Sequence, residues 1–268
     1  MMRVPSVLTI AGSDSGGGAG IQADIKTITA LGLYASSVIT AVTAQNTLGV
    51  QMVRPVTPEL LAAQLDSVFS DLMPQAVKIG MLGTKGAILT VEDRIKYYSP
   101  AHIVLDPVMV STSGKSLLDE QALAALSENL IPLASLVTPN IPEAEVLLGG
   151  ITIQSREDMQ KAALRLSGYY HVPILLKGGH LSSGACDLLC IGETIHWYSA
   201  PRIANPNSHG TGCTLSSAVA CGLAEDISLE QSIARAKHYL SGALNAGLDL
   251  GNGNGPLYHA WNINSENR

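Results

Sequence analysis

Val7-Leu8-Thr9-Ile10-Ala11-Gly12-Ser13-Asp14-Ser15-Gly16-Gly17-Gly18-Ala19-Gly20, running on into Ile21-Gln22-Ala23-Asp24, decides the fold class. Val7–Ile10 is a strand-length apolar run. Five of the nine residues from Gly12 to Gly20 are glycine, and an amphipathic stretch, Gly20–Leu31, follows. Strand, glycine-rich turn and helix in that order open a βαβ unit. The alternation then repeats along the chain. Ser37–Ala44, Ala76–Ile79, His102–Leu105, Ser135–Val137 and Pro173–Leu176 read as strands buried on both faces. Pro58–Leu72, Thr84–Tyr98, Glu120–Leu130, Pro142–Leu148 and Arg156–Tyr170 read as the helices between them. Asp187–Ile191 and Thr194–Tyr198, split by Gly192-Glu193, read as a hairpin at one sheet edge. Thr211–Ala224 and Leu229–Ala246 are the last helices, and a tail rich in Gly and Asn runs from Gly251 to Arg268. The expected fold is α/β, with a mostly parallel central sheet and helices on both faces. It is expected as one domain over residues 1–268, since no repeat or linker-like shift in composition interrupts it.

The composition narrows the function classes. The 268 residues are 46% hydrophobic and 14% charged, which supports a large core and excludes global disorder. The net charge of −6 and an aromatic content of 4% give no bulk attraction for nucleic acid or an anionic membrane, and no base-stacking surface. Cys186, Cys190, Cys213 and Cys221 show neither metal-site spacing nor the density of a secreted disulfide framework. Val7–Ala11 is too short for a leader or a membrane span. The chain is expected to be cytoplasmic.

Polar clusters follow the strands at their carboxyl ends, where open α/β sheets bind ligands. In the first, Gly12–Gly20, the density of glycine favours a loop that approaches a small ligand, with Asp24 available to bond it; a tight packing turn is the alternative. Gly18-x-Gly20-x-x-Ala23 fits a loose dinucleotide fingerprint. The next strand ends in Thr43-Ala44-Gln45-Asn46-Thr47 without the acid a ribose needs, which argues against an NAD enzyme. Gly114-Lys115-Ser116 lacks the earlier glycine of a phosphate-binding P-loop. In the second cluster, His209-Gly210-Thr211-Gly212-Cys213-Thr214, a Gly-x-Gly turn enters a helix and aims backbone N–H groups at one point. Cys213 stands in the first turn, where the helix dipole lowers a thiol pKa; a small buried hydrophobe is the alternative. The third set is Asp106, Asn140, Glu143 and Lys177. Asn140 and Glu143 have the spacing of a capping box, while Asp106 and Glu143 are also hard donors suited to Mg²⁺. Lys177 suits phosphate charge, or else is a snorkelled surface lysine.

Seven segments together resemble the ribokinase-like superfamily, and within it the hydroxymethylpyrimidine and phosphomethylpyrimidine kinases of thiamine biosynthesis. They are Gly12–Asp24, Val42–Thr47, Lys78–Leu82, Asp106–Met109, Thr138–Glu143, Lys177–His180 and His209–Ser217, in the family's order along nearly the whole chain. The resemblance implies a three-layer ribokinase-like fold and an Mg²⁺-dependent kinase with ATP as phosphoryl donor. It implies 4-amino-5-hydroxymethyl-2-methylpyrimidine, then its monophosphate, as substrate, and a homodimer. By position, Gly12, Asp24, Gln45, Met81, Val108 and Cys213 would line the pyrimidine pocket. Gln45 suits the ring's amino and nitrogen edge because its amide both donates and accepts. Asp106, Asn140 and Glu143 would organise the metal and phosphates, and Lys177 would face the transferring phosphoryl group. Gly210, Thr211 and Gly212 would form the anion hole, with Cys213 where relatives place an aspartate base. Two segments depart from the family pattern. Thr112-Ser113-Gly114 stands for Lys-Ser-Gly or Lys-Gly-Gly, and Asn205-Pro206-Asn207-Ser208 for Thr-Lys-Asn-Thr. Pyridoxal kinase activity is the competing reading, since pyridoxal is also a methylated nitrogen heterocycle with a hydroxymethyl group. A non-catalytic binding protein is a further alternative.

Overall fold

The structure, a computed structural model, describes residues 3–109, 118–179, 185–200, 203, 205 and 207–263. The departures at Thr112, Ser113 and Gly114, the Gly114-Lys115-Ser116 run, His180, Pro206 and residues 264–268 lie outside the described residues. Nine strands form one sheet: β1 (Ser6–Asp14), β2 (Tyr34–Asn46), β3 (Gly49–Pro55), β4 (Ala76–Ile79), β5 (His102–Leu105), β6 (Leu136–Val137), β7 (Ile174–Lys177), β8 (Ala185–Ile191) and β9 (Thr194–Ala200). Their order is β3-β2-β1-β4-β5-β6-β7-β8-β9. The six central strands pair in parallel, while β3 on one edge and β8–β9 on the other pair antiparallel.

Helices cover both faces, as the continuous apolar strands require. One face carries α2 (Pro58–Asp71), α3 (Lys85–Tyr98), α4 (Glu120–Ala125), α5 (Ile141–Leu147) and α6 (Arg156–Tyr170) over a core that includes Leu8, Ile10, Val77 and Leu176. The other carries α1 (Gly20–Ala30), α7 (Thr211–Ala224) and α8 (Leu229–Asn245) over Val7, Ala76, Val104, Leu136 and Leu175. Every residue of α7 from Thr214 to Ala224 is buried, because the helix lies between the sheet and α8. Its Ser, Ala and Gly content permits that close approach.

The α/β reading with two covered faces holds. β3 is an addition: the sequence reading has no element at Gly49–Pro55. The strand lacks a buried side, so its hydrophobic signal is weak, and it is held by pairing with β2 across Thr47-Leu48. The stretch read as one helix over Glu120–Leu130 instead divides into α4, a π-helical turn at Leu126–Leu130 and a 3₁₀ turn around Pro132. β1 runs on through Gly12 to Asp14, past an irregularity between Ala11 and Ser13.

Helix starts carry information about the site. α2, α3, α4, α5, α6 and α8 are each capped by a side chain: Thr57, Thr84, Asp119, Asn140, Ser155 and Ser228. α1 and α7 have no such cap; their starting positions are Ala19 and Gly210.

Candidate active site

Alternation along the strands places a polar row above the α1–α7 face. Val7, Ala76, Val104, Leu136 and Leu175 pack on that face. The period of two then sends Thr9, Lys78, Asp106, Thr138 and Lys177 the same way, Thr9 from within β1 and the other four at or just past the carboxyl ends of their strands. The start of α7 meets this row. A Cβ added to Gly212 would lie 3.3 Å from both Asp106 Oδ2 and Lys177 Nζ.

The outer part of the row is an ion pair. Lys177 Nζ donates to Asp106 Oδ1 at 2.7 Å, and Thr138 Oγ1 donates to the same oxygen at 3.1 Å. Burial opposes the charge on Lys177, but Asp106 and then Glu143 outweigh it and raise its pKa. Glu143 is pushed up to about 7, first by burial and also by Asp106, against the pull of Lys177. Asn140 and Glu143 form the capping box: Glu143 N–H donates to Asn140 Oδ1 at 2.9 Å, and Asn140 N–H donates to Glu143 Oε2 at 2.8 Å. The capping alternative for this pair is therefore what the structure displays, and the Asn140 amide is engaged in it.

The inner part is a closed cluster, and it corrects the expectation for Asp24. Lys78 and Asp24 are fully buried, with Nζ 2.9 and 2.8 Å from the two carboxylate oxygens. Thr9 donates to Oδ2 at 2.6 Å and Ser217 to Oδ1 at 2.8 Å. Asp24 is thus satisfied from within the protein, below the site, and is not open to a ligand. Burial works against the Lys78 charge, and Asp24 more than restores it, raising its pKa.

The expected neutral-pH thiolate at Cys213 is also corrected. Part of the residue is accessible, but burial is the largest influence on its thiol and pushes its pKa up to about 11. Lys78 lowers it, Asp24 and Asp106 raise it, and the lysine is already neutralised by its own carboxylate partner.

Glycines in the first cluster serve the chain's own packing. A Cβ on Gly12 would meet Met81 Cε at 2.4 Å, one on Gly18 would meet His209 Cδ2 at 2.5 Å, and one on Gly20 would meet Gly12 O at 2.2 Å. The Asp14 carboxylate takes the loop's N–H groups: Gly16 to Oδ1 at 2.8 Å, Gly18 and Ala19 to Oδ2 at 3.1 and 2.9 Å. The loop before α1 thus receives its anion from the chain itself, and α7 is the helix start turned to the ion pair. Burial raises the Asp14 carboxyl, but bonds from His209, Ala19 and Gly16 outweigh it and hold the group below its ordinary value.

The expected pocket residues Gly12, Gln45, Met81 and Val108 all sit at the same carboxyl edge, after or at the ends of β1, β2, β4 and β5. Gly12 and Met81 are in contact, and Thr40 Oγ1 fixes the Met81 carbonyl at 2.7 Å. The turn after Asp106 is tight, with Val108 N–H donating to Asp106 O at 2.8 Å. Gly210, in the left-handed region at φ 87°, lies where a Cβ would strike Gly18 O at 1.9 Å, so the two glycine loops touch. Asn205 and Asn207 are structural: their amides hold the Leu244 and Leu248 carbonyls at 2.7 and 2.6 Å, and Gly255 N–H donates to Asn207 Oδ1.

Three residues were not singled out from the sequence. Lys78 carries a signal, as a lone charge within the buried run Ala76–Ile79. Asp14 carries one too, since an acid before glycines forms local turns. His209 carries none beyond its place beside Gly210. Among the described residues there is no cluster of three or more His, Cys, Asp or Glu able to hold a metal, and no helix long and apolar enough to cross a membrane.

Comparison with known proteins adds to this geometry. Residues 14–258 match the sequence model of the phosphomethylpyrimidine kinase family. The thiamine biosynthesis bifunctional protein of Geobacter sulfurreducens is 51% identical over 95% of this chain, which spans 52% of that longer protein. The hydroxymethylpyrimidine/phosphomethylpyrimidine kinase of Rhizobium meliloti is 48% identical over 94% of this chain and 96% of its own length. Among solved structures, the Clostridium difficile phosphomethylpyrimidine kinase matches at 42% identity and a TM-score of 0.79, over 88% of this chain and 98% of that one. An ADP complex of Bacillus subtilis pyridoxal kinase matches at 34% identity and a TM-score of 0.90, over 98% and 100%. With a family match that runs from Asp14 to Tyr258 and solved kinases that superpose over most of its length, the chain is a ribokinase-like kinase and belongs to the phosphomethylpyrimidine kinase family.

Proposed function

We propose that this chain uses ATP to phosphorylate 4-amino-5-hydroxymethyl-2-methylpyrimidine to its monophosphate, and then that monophosphate to the diphosphate, in thiamine biosynthesis. The observation that carries the reading is the Lys177–Asp106 pair set against Gly212, at the start of the helix that lacks a capping side chain. Phosphoryl transfer needs the two oxygens in line and the charge on the phosphoryl oxygens neutralised, with little covalent work by the protein. Lys177 supplies a fixed positive charge, and the Gly210-Thr211-Gly212 turn supplies N–H groups and the helix dipole. The pyrimidine is held by Gln45, Met81, Val108 and Cys213 around Gly12, whose missing side chain makes room for Met81. Asp24 supports this floor from below through Lys78.

Mg²⁺ fits the donor set in one form. Asp106 and Glu143 are two hard carboxylates flanking Lys177, too few for an all-protein cage, so the ion would take its other ligands from nucleotide phosphates and water. Bound there, it would neutralise phosphate charge. Cys213 acts in this reading as a protonated thiol lining the pocket. The second step needs no base, because its nucleophile is an ionised phosphate. We assign the enzyme to the cytoplasm, where four free thiols remain reduced, and to a homodimer, as the family resemblance implies.

The likeness to pyridoxal kinases gives one competing substrate. Parallel assays of ATP consumption with the hydroxymethylpyrimidine, its phosphate and pyridoxal separate the two. The proposal expects kcat/KM to favour both pyrimidines; a preference for pyridoxal overturns it.

A further inference from the structure

One imidazole nitrogen stands between two groups that make opposite demands on it. His209 Nε2 lies 3.0 Å from Asp14 Oδ2 and 3.1 Å from Nε2 of the Gln45 amide. Asp14 is a carboxylate and only accepts, so the nitrogen that faces it carries a proton. A protonated imidazole nitrogen cannot accept from an amide N–H. Thr43 poses the same question from the other end of the amide. Its single hydroxyl proton goes to Ser13 O at 2.9 Å, which leaves none for Gln45 Oε1 at 3.3 Å. A half-turn of the amide about its last torsion exchanges oxygen and nitrogen while keeping both positions. The Gln45 carbonyl then shares the single His209 Nε2–H with Asp14 as a three-centre bond, the two acceptors lying at nearly equal distances of 3.1 and 3.0 Å, one amide N–H donates to Thr43 Oγ1, and no donor is left facing a donor.

We propose that His209 is a positioning residue for substrate recognition: its Nε2–H, fixed by Asp14, orients the Gln45 amide so that the group left for the ligand is an N–H donor. The matching ligand feature is an aromatic ring nitrogen with an in-plane lone pair. The proposal rests on the reading of Gln45 as a substrate contact. Packing adds to the case. His209 is buried, and its ring occupies the space a side chain on Gly18 would take. It also directly precedes Gly210, so one residue joins the pocket, the Asp14 loop and the start of α7.

The test compares His209→Gln with His209→Asn. Both are polar, but only glutamine reaches the place of Nε2 with an amide nitrogen, whose two protons can serve Asp14 and Gln45. His209→Asn is expected to raise the pyrimidine KM about tenfold, as for one lost hydrogen bond, with the ATP KM little changed. His209→Gln is expected to recover to within about threefold of wild type. In a double-mutant cycle, His209→Asn adds nothing on a Gln45→Leu background if it acts through Gln45. Equal KM values for the two His209 variants, or additive losses in the cycle, overturn the proposal. An unchanged pyrimidine KM in Gln45→Leu alone overturns instead the reading of Gln45, and this inference with it. If either variant does not fold, imidazole ¹⁵N shifts of the wild-type protein decide: a protonated His209 Nε2 is expected, and an unprotonated one refutes the assignment.

Discussion

Removing the ammonium of Lys78 isolates the clearest energetic feature beneath the site. Lys78 and Asp24 side chains are both 0% exposed, and Nζ bonds both carboxylate oxygens. In Lys78→Met the carboxylate keeps, among the described residues, the hydroxyls of Thr9 and Ser217. An uncompensated buried charge of this kind costs about 3–5 kcal/mol, a large share of the roughly 5–15 kcal/mol that holds a protein folded. A second substitution, Asp24→Asn, removes the stranded charge, so the double variant should regain more than half of the loss. Equilibrium urea unfolding of the wild type, both single variants and the double measures this, with an unchanged m-value as the check on comparable states. The pH dependence has a definite sign. Lys78 is held above its ordinary 10.5, so its contribution is complete below that value and fades only as pH rises through the higher folded value. The gap between wild type and Lys78→Met should therefore be flat between about pH 6 and 9. A cost below about 1 kcal/mol, or a double variant no better than Lys78→Met, would refute the buried-pair account.

Cys213, with its thiol pushed up to about 11, should react with iodoacetamide slowly near neutrality, its rate rising about tenfold per pH unit without a plateau up to about pH 9.5. Cys213→Ala should then lower kcat/KM for both phosphorylation steps by similar, modest factors; a much larger loss in the alcohol step would restore it as a base. Gly210→Ala places a Cβ 1.9 Å from Gly18 O at φ 87° and should destabilise by about 2–3 kcal/mol or more, seen as a lowered Tm. Gly212→Ala meets only the Asp106–Lys177 pair at 3.3 Å, so Tm should hold while kcat falls on the order of ten- to a hundredfold. His259, bonded to Thr214 and lowered to about 4 mainly by burial, binds fewer protons folded than unfolded between there and 6.5. Stability should fall as pH drops through that window, and His259→Gln should make the decline shallower in pH-dependent urea titrations.

Much of this architecture was legible because strands buried on both faces leave continuous apolar runs, as at Ala76–Ile79 and His102–Leu105. β3 escaped notice because Gly49–Pro55 buries no side and so shows no hydrophobic period. The capping box at Asn140 and Glu143 could be read from spacing alone, since both partners lie within one helical turn. Asp24 shows the limit of such reading. Its environment is set by Lys78, Thr9 and Ser217, which lie on three other elements, and local sequence suggested a ligand contact instead. Cys213 fails in the same way: the helix start is a local feature, whereas the burial and the carboxylates that dominate its thiol are tertiary. The glycine density of the first loop favoured a ligand approach over a tight packing turn, and the close contacts the loop makes are with the chain itself. What its glycines approach is Met81, His209 and the backbone of Gly12, and that follows only from the folded chain.

The central claim is that one site carries out two successive phosphoryl transfers to the pyrimidine. Its most direct measurement is the stoichiometry of ADP released at completion, with the purified chain, excess ATP and limiting substrate. Starting from 4-amino-5-hydroxymethyl-2-methylpyrimidine, the account predicts about two ADP per pyrimidine and a diphosphate product by mass spectrometry; starting from the monophosphate, it predicts about one. Release that stops at about one ADP from the alcohol, with no turnover of the monophosphate, would contradict it.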